Sequence, residues 1–333
     1  KARENKEGTI DVTFMVKAGD EKIFLGEKEK NEKEFYFKPE KLKKIKNRYL
    51  EDQRDNFSIV SCPEGIFRQH KTIVEVDIDK DIDYDYIKND KKIREVVVSS
   101  KKDPIDNLPR LEEVVKKLSE IEHITSVRIR SLKFNYSPEQ YNFGVINKLG
   151  EFNIISSIIP KRIEIETQFL SSIEIKKEHK ELTRRLGKKG ISVYNNTPLI
   201  KDVNNDREEI EKISNHLRDC GIEFNVVYIN KNSEESITLY NFLDISSHVR
   251  KHGSGREIPR YFLRTDLGDV SFGIDTEFFK IGKDVYAKLL PYTPDFFKKI
   301  DNCFDWENVK DGHPVVKVRG LKFEDNFMLD SQK

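Results

Sequence analysis

A chain of 333 residues, 36% hydrophobic and 36% charged, is long enough for one large α/β domain or two medium ones. Its 60 Lys+Arg and 59 Asp+Glu cancel to a net charge of +1, so no global basic field marks a nucleic-acid binder. No apolar run reaches the roughly 18–20 residues of a membrane helix, and no signal-peptide pattern opens the chain. Three cysteines, Cys62, Cys220 and Cys303, are too scattered for a disulfide framework, which points to a reducing, cytoplasmic location. The first residue is Lys1 rather than Met, so the start is expected to be processed or missing.

The first ~55 residues read as an extension of short strands plus a helix. Thr9–Val16 alternates apolar and polar, Lys22–Leu25 and Glu34–Phe37 can pair with it, and Pro39 suits the first turn of a short helix. From Phe57 onward, strand and helix patterns alternate. Predicted strands are Phe57–Ser61, Glu95–Ser99, Ser126–Arg130, Ile163–Thr167, Ile191–Asn195 and Phe224–Ile229. Between them, Ile82–Ile87 predicts a short helix, and Leu108, Leu111, Val114, Val115, Leu118 and Ile121 make a helical stripe. Ser137-Pro138-Glu139-Gln140 has the form of a capping box, Ile175–Leu186 predicts a helix, and Asp206 suits the cap of another. A last helix crosses Leu239, Phe242, Leu243 and Val249.

Strands and helices alternating in units of roughly 30 residues predict a parallel sheet by the right-handed crossover rule. With no dinucleotide fingerprint, a partial (β/α)6 TIM-like barrel fits better than a doubly wound sheet, and function is expected at the C-terminal strand ends. The expected organisation is an extension over 1–55, the partial barrel over 56–252, and C-terminal strands and a tail over 253–333. Pro259–Arg264 and Val270–Ile274 read as extra strands, and Pro291–Lys333 as an irregular aromatic tail.

No phosphate-binding P-loop and no His-Glu-x-x-His is present. His248 and His252 share a helical face, with no third ligand near in sequence. Arg128 and Arg130 alternate with Val127 and Ile129 and so share one strand face. If that face is interior, the two guanidiniums require an anionic ligand or internal acid partners, because an unpaired buried charge is very costly. Lys101 and Lys102, in Ser99-Ser-Lys-Lys-Asp-Pro104, form a basic pair that can hold an anion such as phosphate.

Several stretches are similar to one family. They are Asp83-Tyr-Asp-Tyr-Ile-Lys-Asn89, Ile93-Arg-Glu-Val-Val-Val-Ser99, Gly190-Ile-Ser-Val-Tyr-Asn-Asn-Thr-Pro-Leu-Ile-Lys-Asp-Val-Asn204, and His252-Gly-Ser-Gly255 with Pro259. Over about residues 47–275 the chain resembles the lysine 2,3-aminomutases of the radical-SAM group. The resemblance implies a partial barrel, a [4Fe–4S] cluster on three cysteines, S-adenosylmethionine (SAM), and pyridoxal phosphate (PLP) on a lysine.

Matched residue by residue, the cluster loop falls on Cys62-Pro-Glu-Gly-Ile66-Phe-Arg-Gln69, which retains one cysteine, Cys62, as a remnant. The glycines of the SAM turn fall on Ser99–Lys102, and the imine lysine falls on Ser271. Positions of two substrate carboxylates fall near Asn232 and Arg264, while Arg68 matches an arginine that grips a substrate carboxylate. The expectation is therefore that cluster, SAM and PLP are lost, with no catalytic residue and no metal. The chain is expected to be a pseudoenzyme acting as a binding or assembly subunit, with a protein partner or a homo-oligomer. One alternative is cluster-independent chemistry on a small anionic substrate held by Arg68, Lys101, Lys102, Arg128 and Arg130. A second is an active radical-SAM aminomutase with unusual cluster ligands. Candidate contact surfaces are the N-terminal ribbon and the tail with Phe296, Phe297, Phe304 and Trp306.

Overall fold

The computed structural model describes residues 3–4, 10–11, 61–70, 72–155, 161–229, 237–265, 268–273, 276–289 and 315–322. The chain divides into two compact units, Lys1–Tyr49 and Leu50–Lys333. In the first, Arg3–Glu4 (β1) pairs antiparallel with Ile10–Asp11 (β2). The other strands and the helix expected there, and the tail aromatics, lie outside the described residues.

The second unit is built on a long mixed sheet. Ile66–His70 (β3) and Ile73–Asp77 (β4) form an antiparallel hairpin. Gly65 opens it with φ +78°, and a Cβ there would sit 2.8 Å from the Lys80 Cβ, so the turn requires glycine. Glu95–Ser99 (β5), Ser126–Arg130 (β6), Arg162–Thr167 (β7), Ser192–Leu199 (β8) and Glu223–Ile229 (β9) follow β4 in order, each parallel to the one before. The two-residue strand Ile237–Thr238 (β10) runs parallel to a later strand, and Arg260–Thr265 (β11) extends the parallel run beside β9. Gly268–Ser271 (β12) turns back on β11. Thr276–Ile281 (β13) and Asp284–Leu289 (β14) form a hairpin that continues into Val315–Lys322 (β15), the partner of β10. The hydrogen-bonded order ends at β13 on one side and β3 on the other, and among the described residues no ladder closes the sheet into a ring.

Helices cover one face. They are Tyr84–Asn89 (α1), Leu108–Ser119 (α2), the single turn Lys133–Tyr136 (α3), Phe143–Ile155 (α4), Lys177–Gly187 (α5), Arg207–Asp219 (α6) and Leu239–His252 (α7). Their ends follow local chemistry. Asn107 Oδ1 accepts the Arg110 N–H to start α2, Asp206 accepts the Glu208 N–H to start α6, and Thr238 accepts the Asn241 N–H to start α7. Each buries one stripe: Leu111, Val114, Val115 and Leu118 on α2, Ile210, Ile213 and Leu217 on α6. Against them stand Val74, Val76, Val96, Val98, Val127, Ile129, Ile163 and Ile165, all in the core. A fully buried side chain of this kind contributes about 1.5–3 kcal/mol.

Three expectations are corrected. Residues 57–60 of the expected first strand lie outside the described residues, and the first parallel strand seen is β4, between antiparallel β3 and parallel β5. The second half of the Cys62–Gln69 segment, expected as a loop, is strand β3, antiparallel to β4. Ser137 makes no side-chain cap: Pro138–Gln140 is a 3-10 turn, and α4 begins at Phe143. Finally, residues 315–322 of the expected irregular tail form β15, which the apolar Val316, Val318 and Leu321 bury on one side.

Candidate functional site

Strand alternation sends charge to the face opposite the helices. On β6, Val127 and Ile129 enter the helix-side core, so Arg128 and Arg130 face the other way. On β7, Ile163 and Ile165 do the same and turn Glu164 and Glu166 beside the arginines. In the ladder Arg128 stands opposite Glu164, and Arg130 opposite Glu166. β4 contributes Glu75 and β5 contributes Glu95.

The resulting network is dense. Arg128 donates from Nε to Glu164 at 3.2 Å, from Nη2 to Glu95 at 3.2 Å and from Nη1 to Glu166 at 3.5 Å. Its guanidinium also lies 5.5 Å from the centre of the Tyr194 ring on β8. Arg130 donates to Glu166 and to Glu75, each at 2.7 Å. Glu164 and Glu166 are 1% and 2% exposed, so these are desolvated charges held by one another. Burial alone raises the Glu166 pKa, but Arg130 and Arg128 outweigh it and leave the carboxylate below its usual range. Burial likewise works against the charge on Arg130, and Glu166 and Glu75 more than restore it. Further along, Gln168 Nε2 donates to the Tyr228 hydroxyl at 3.0 Å, and the Arg264 guanidinium lies 4.8 Å from the Tyr228 ring centre.

The loops at the C-terminal strand ends are also cross-tied. Asp103 is buried and accepts from Ile105 N at 3.2 Å, Ser131 Oγ at 3.0 Å and Lys133 N at 3.0 Å, joining the loop after β5 to the loop after β6. Burial pushes its carboxyl up to about 6, against the pull of those bonds. Asp79, just beyond β4, accepts from Ser100 and Lys101.

The five sequence-predicted ligand residues thus occupy three settings. Arg128 and Arg130 are committed to internal glutamates. Arg68 lies on β3, buried, and pairs with Asp90 at 2.5 Å. Lys101 and Lys102 are exposed on the turn after β5. Glu75, Glu95, Glu164, Glu166 and Asp103 are the participants that sequence reasoning missed. Their signal was present: Ile-Val-Glu-Val-Asp77 and Ile-Glu-Ile-Glu166 repeat the alternation of Val-Arg-Ile-Arg130 with opposite charge. The His248 and His252 rings lie with centres 4.2 Å apart, tilted by 33° to each other, and His248 Nε2 meets Glu211 at 2.8 Å.

A little over half of the chain matches curated proteins, while no family model matches it. It is 24% identical over 188 residues to the glutamate 2,3-aminomutase of Clostridioides difficile, covering 55% of this chain and 43% of that protein. A putative L-lysine 2,3-aminomutase of Aquifex aeolicus is 30% identical over 181 residues, 53% of this chain and 47% of the relative. The L-lysine 2,3-aminomutase of Methanococcus maripaludis is 27% identical over 181 residues, 53% and 40% respectively. Over about half its length the chain is similar to the lysine and glutamate 2,3-aminomutases. The match spans less than half the length of these relatives.

The match corrects one expectation. Cluster, SAM and PLP are expected from the sequence to be lost, yet the relatives are lysine and glutamate 2,3-aminomutases, and the match gives no support for that loss. Residue fit is a separate matter. Cys62 Sγ contacts the Tyr86 hydroxyl at 3.3 Å, Cys220 is buried at the end of α6 with Sγ 3.8 Å from the Lys176 carbonyl, and Cys303 lies outside the described residues. Among the described residues no three His, Cys, Asp or Glu groups are arranged to hold a metal ion. Ser271 stands exposed at the end of β12, and a hydroxyl forms no imine. The described residues thus do not fit cluster and imine in the family's manner. Among the described residues no helix is long and apolar enough to cross a membrane.

Proposed function

We propose that this aminomutase-like chain is a pseudoenzyme with a partial barrel, serving as a cytoplasmic binding or assembly subunit beside a protein partner or a further copy of itself. The observation that carries the reading is the commitment of Arg128 and Arg130 to Glu75, Glu95, Glu164 and Glu166. A face that binds an anionic substrate keeps its cations available. Here the desolvation cost of two guanidiniums is met from within the sheet, which disfavours cluster-independent chemistry on an anion at that face.

The test is turnover. The protein is supplied anaerobically with iron, sulfide, SAM and PLP and incubated with lysine or with glutamate. The expected result is no migration of the amino group from C2 to C3. Formation of a β-amino acid would overturn the proposal and establish an active aminomutase with unconventional ligands. Light scattering tests the assembly role separately, with a mass above that of one chain as the expected result.

A further inference from the structure

The turn after β5 receives a carboxylate supplied by the chain itself. Ser100 Oγ lies 3.1 Å from Oδ1 and 3.1 Å from Oδ2 of Asp79, and the Lys101 N–H donates to Oδ2 at 2.6 Å. The Lys102 N–H in turn donates to Ser100 Oγ at 3.3 Å, which orients that hydroxyl. A short N–H bond to a carboxylate belongs to the charge-assisted class, roughly twice as strong as a neutral one. Donor and acceptor come from the ends of adjacent parallel strands, β5 and β4, so the contact is tertiary and not a local turn bond.

Two features give the turn more anion-binding capacity than one carboxylate uses. Lys101 and Lys102 are both exposed, and no ion pair ties either ammonium to an acid among the described residues. The nearest acid in sequence, Asp103, has its oxygens engaged by Ile105, Ser131 and Lys133. A hydroxyl and a backbone N–H turned to one acceptor, in a turn that also carries two exposed lysines, are donors and charge of the kind a doubly charged tetrahedral oxyanion takes. Asp79 also lines an open groove of about 920 Å³ with Glu64, Asp81, Asp83, Lys80 and Arg110, while Ser100, Lys101 and Lys102 lie outside that lining.

We propose that the Ser100–Lys102 turn is a seat for an oxyanion of the phosphate class, and that Asp79 occupies it in cis. The inference is independent of whether the chain turns over an amino acid. In the native chain the tethered carboxylate competes at high local concentration, so free phosphate binds weakly. Asp79→Ala removes the competitor and its charge together.

Inorganic phosphate is titrated against wild type and Asp79→Ala, following the Lys101 amide resonance and the thermal midpoint. The variant is expected to bind saturably, roughly tenfold or more tighter than wild type, as the exchange of one charge-assisted bond implies. Adding Lys101→Ala and Lys102→Ala is expected to abolish the gain. Equal responses in wild type and a folded Asp79→Ala would show the contact to be only a staple between loops, as would a gain that survives loss of both lysines. Should Asp79→Ala fail to fold, Asp79→Asn keeps an acceptor for the Lys101 N–H and drops the charge. Phosphate affinity above wild type is expected there too, and equal affinity would overturn the proposal.

Discussion

Strands β4 to β7 carry two faces built on opposite physical terms. Toward the helices, Val74, Val96, Val127, Ile129, Ile163 and Ile165 are nearly or fully buried and need only volume and apolarity from their neighbours. Away from the helices, Glu75, Arg128, Arg130, Glu164 and Glu166 each need a particular partner at a particular place in the ladder. A residue on the first face is replaceable by another of similar size. On the second, losing one member strands the charge of the next, so a partner's absence costs more than the pair contributes.

The largest expected effect comes from that asymmetry. Glu166→Ala removes the carboxylate shared by Arg128 and Arg130 and is expected to destabilise the fold by about 3–5 kcal/mol, measured by urea unfolding. Leu111→Ala, on the helix side, removes a fully buried side chain and is expected to cost about 3 kcal/mol without changing the pH dependence of stability. If Glu166→Ala proves milder than Leu111→Ala, the polar face is wetter and looser than its geometry indicates.

Asp103 sharpens the contrast through pH. Its carboxyl titrates near 6 in the fold and near 3.9 in an unfolded chain, so the native state binds the extra proton. That contribution is fully present below the unfolded value and is lost as pH rises through about 6. Lowering the pH from about 7 to about 5 is expected to stabilise wild type by roughly 1 kcal/mol relative to Asp103→Asn, read from paired urea midpoints. The smallest effect is expected at Arg184, whose pair with Glu181 stands in solvent: Arg184→Ala leaves the midpoint unchanged.

Local signals made much of this fold legible. β5 and β6 have the bounds their apolar alternation predicts, and Asp206 caps α6 through its side chain as its residue type implies. β4 carries the same alternation as β6, but Glu75 reads as surface charge until Arg130 is placed beside it. Antiparallel β13 to β15 escaped because their pairing is set by long-range register rather than by periodicity. At the site, the choice between anionic ligand and internal acids for Arg128 and Arg130 is a question of ladder register. Alternation gives the face; only the paired strands give Glu164 and Glu166 as the neighbours.

The central claim is that the arginines of β6 are spent inside the protein. A double-mutant cycle on Arg130→Met and Glu166→Gln, followed by urea unfolding, tests it most directly. The two losses are expected to be strongly non-additive, with a coupling of about 1.5 kcal/mol or more. Additivity within about 0.5 kcal/mol would show that Arg130 and Glu166 do not depend on each other, and would return Arg130 to the pool of residues available to a ligand.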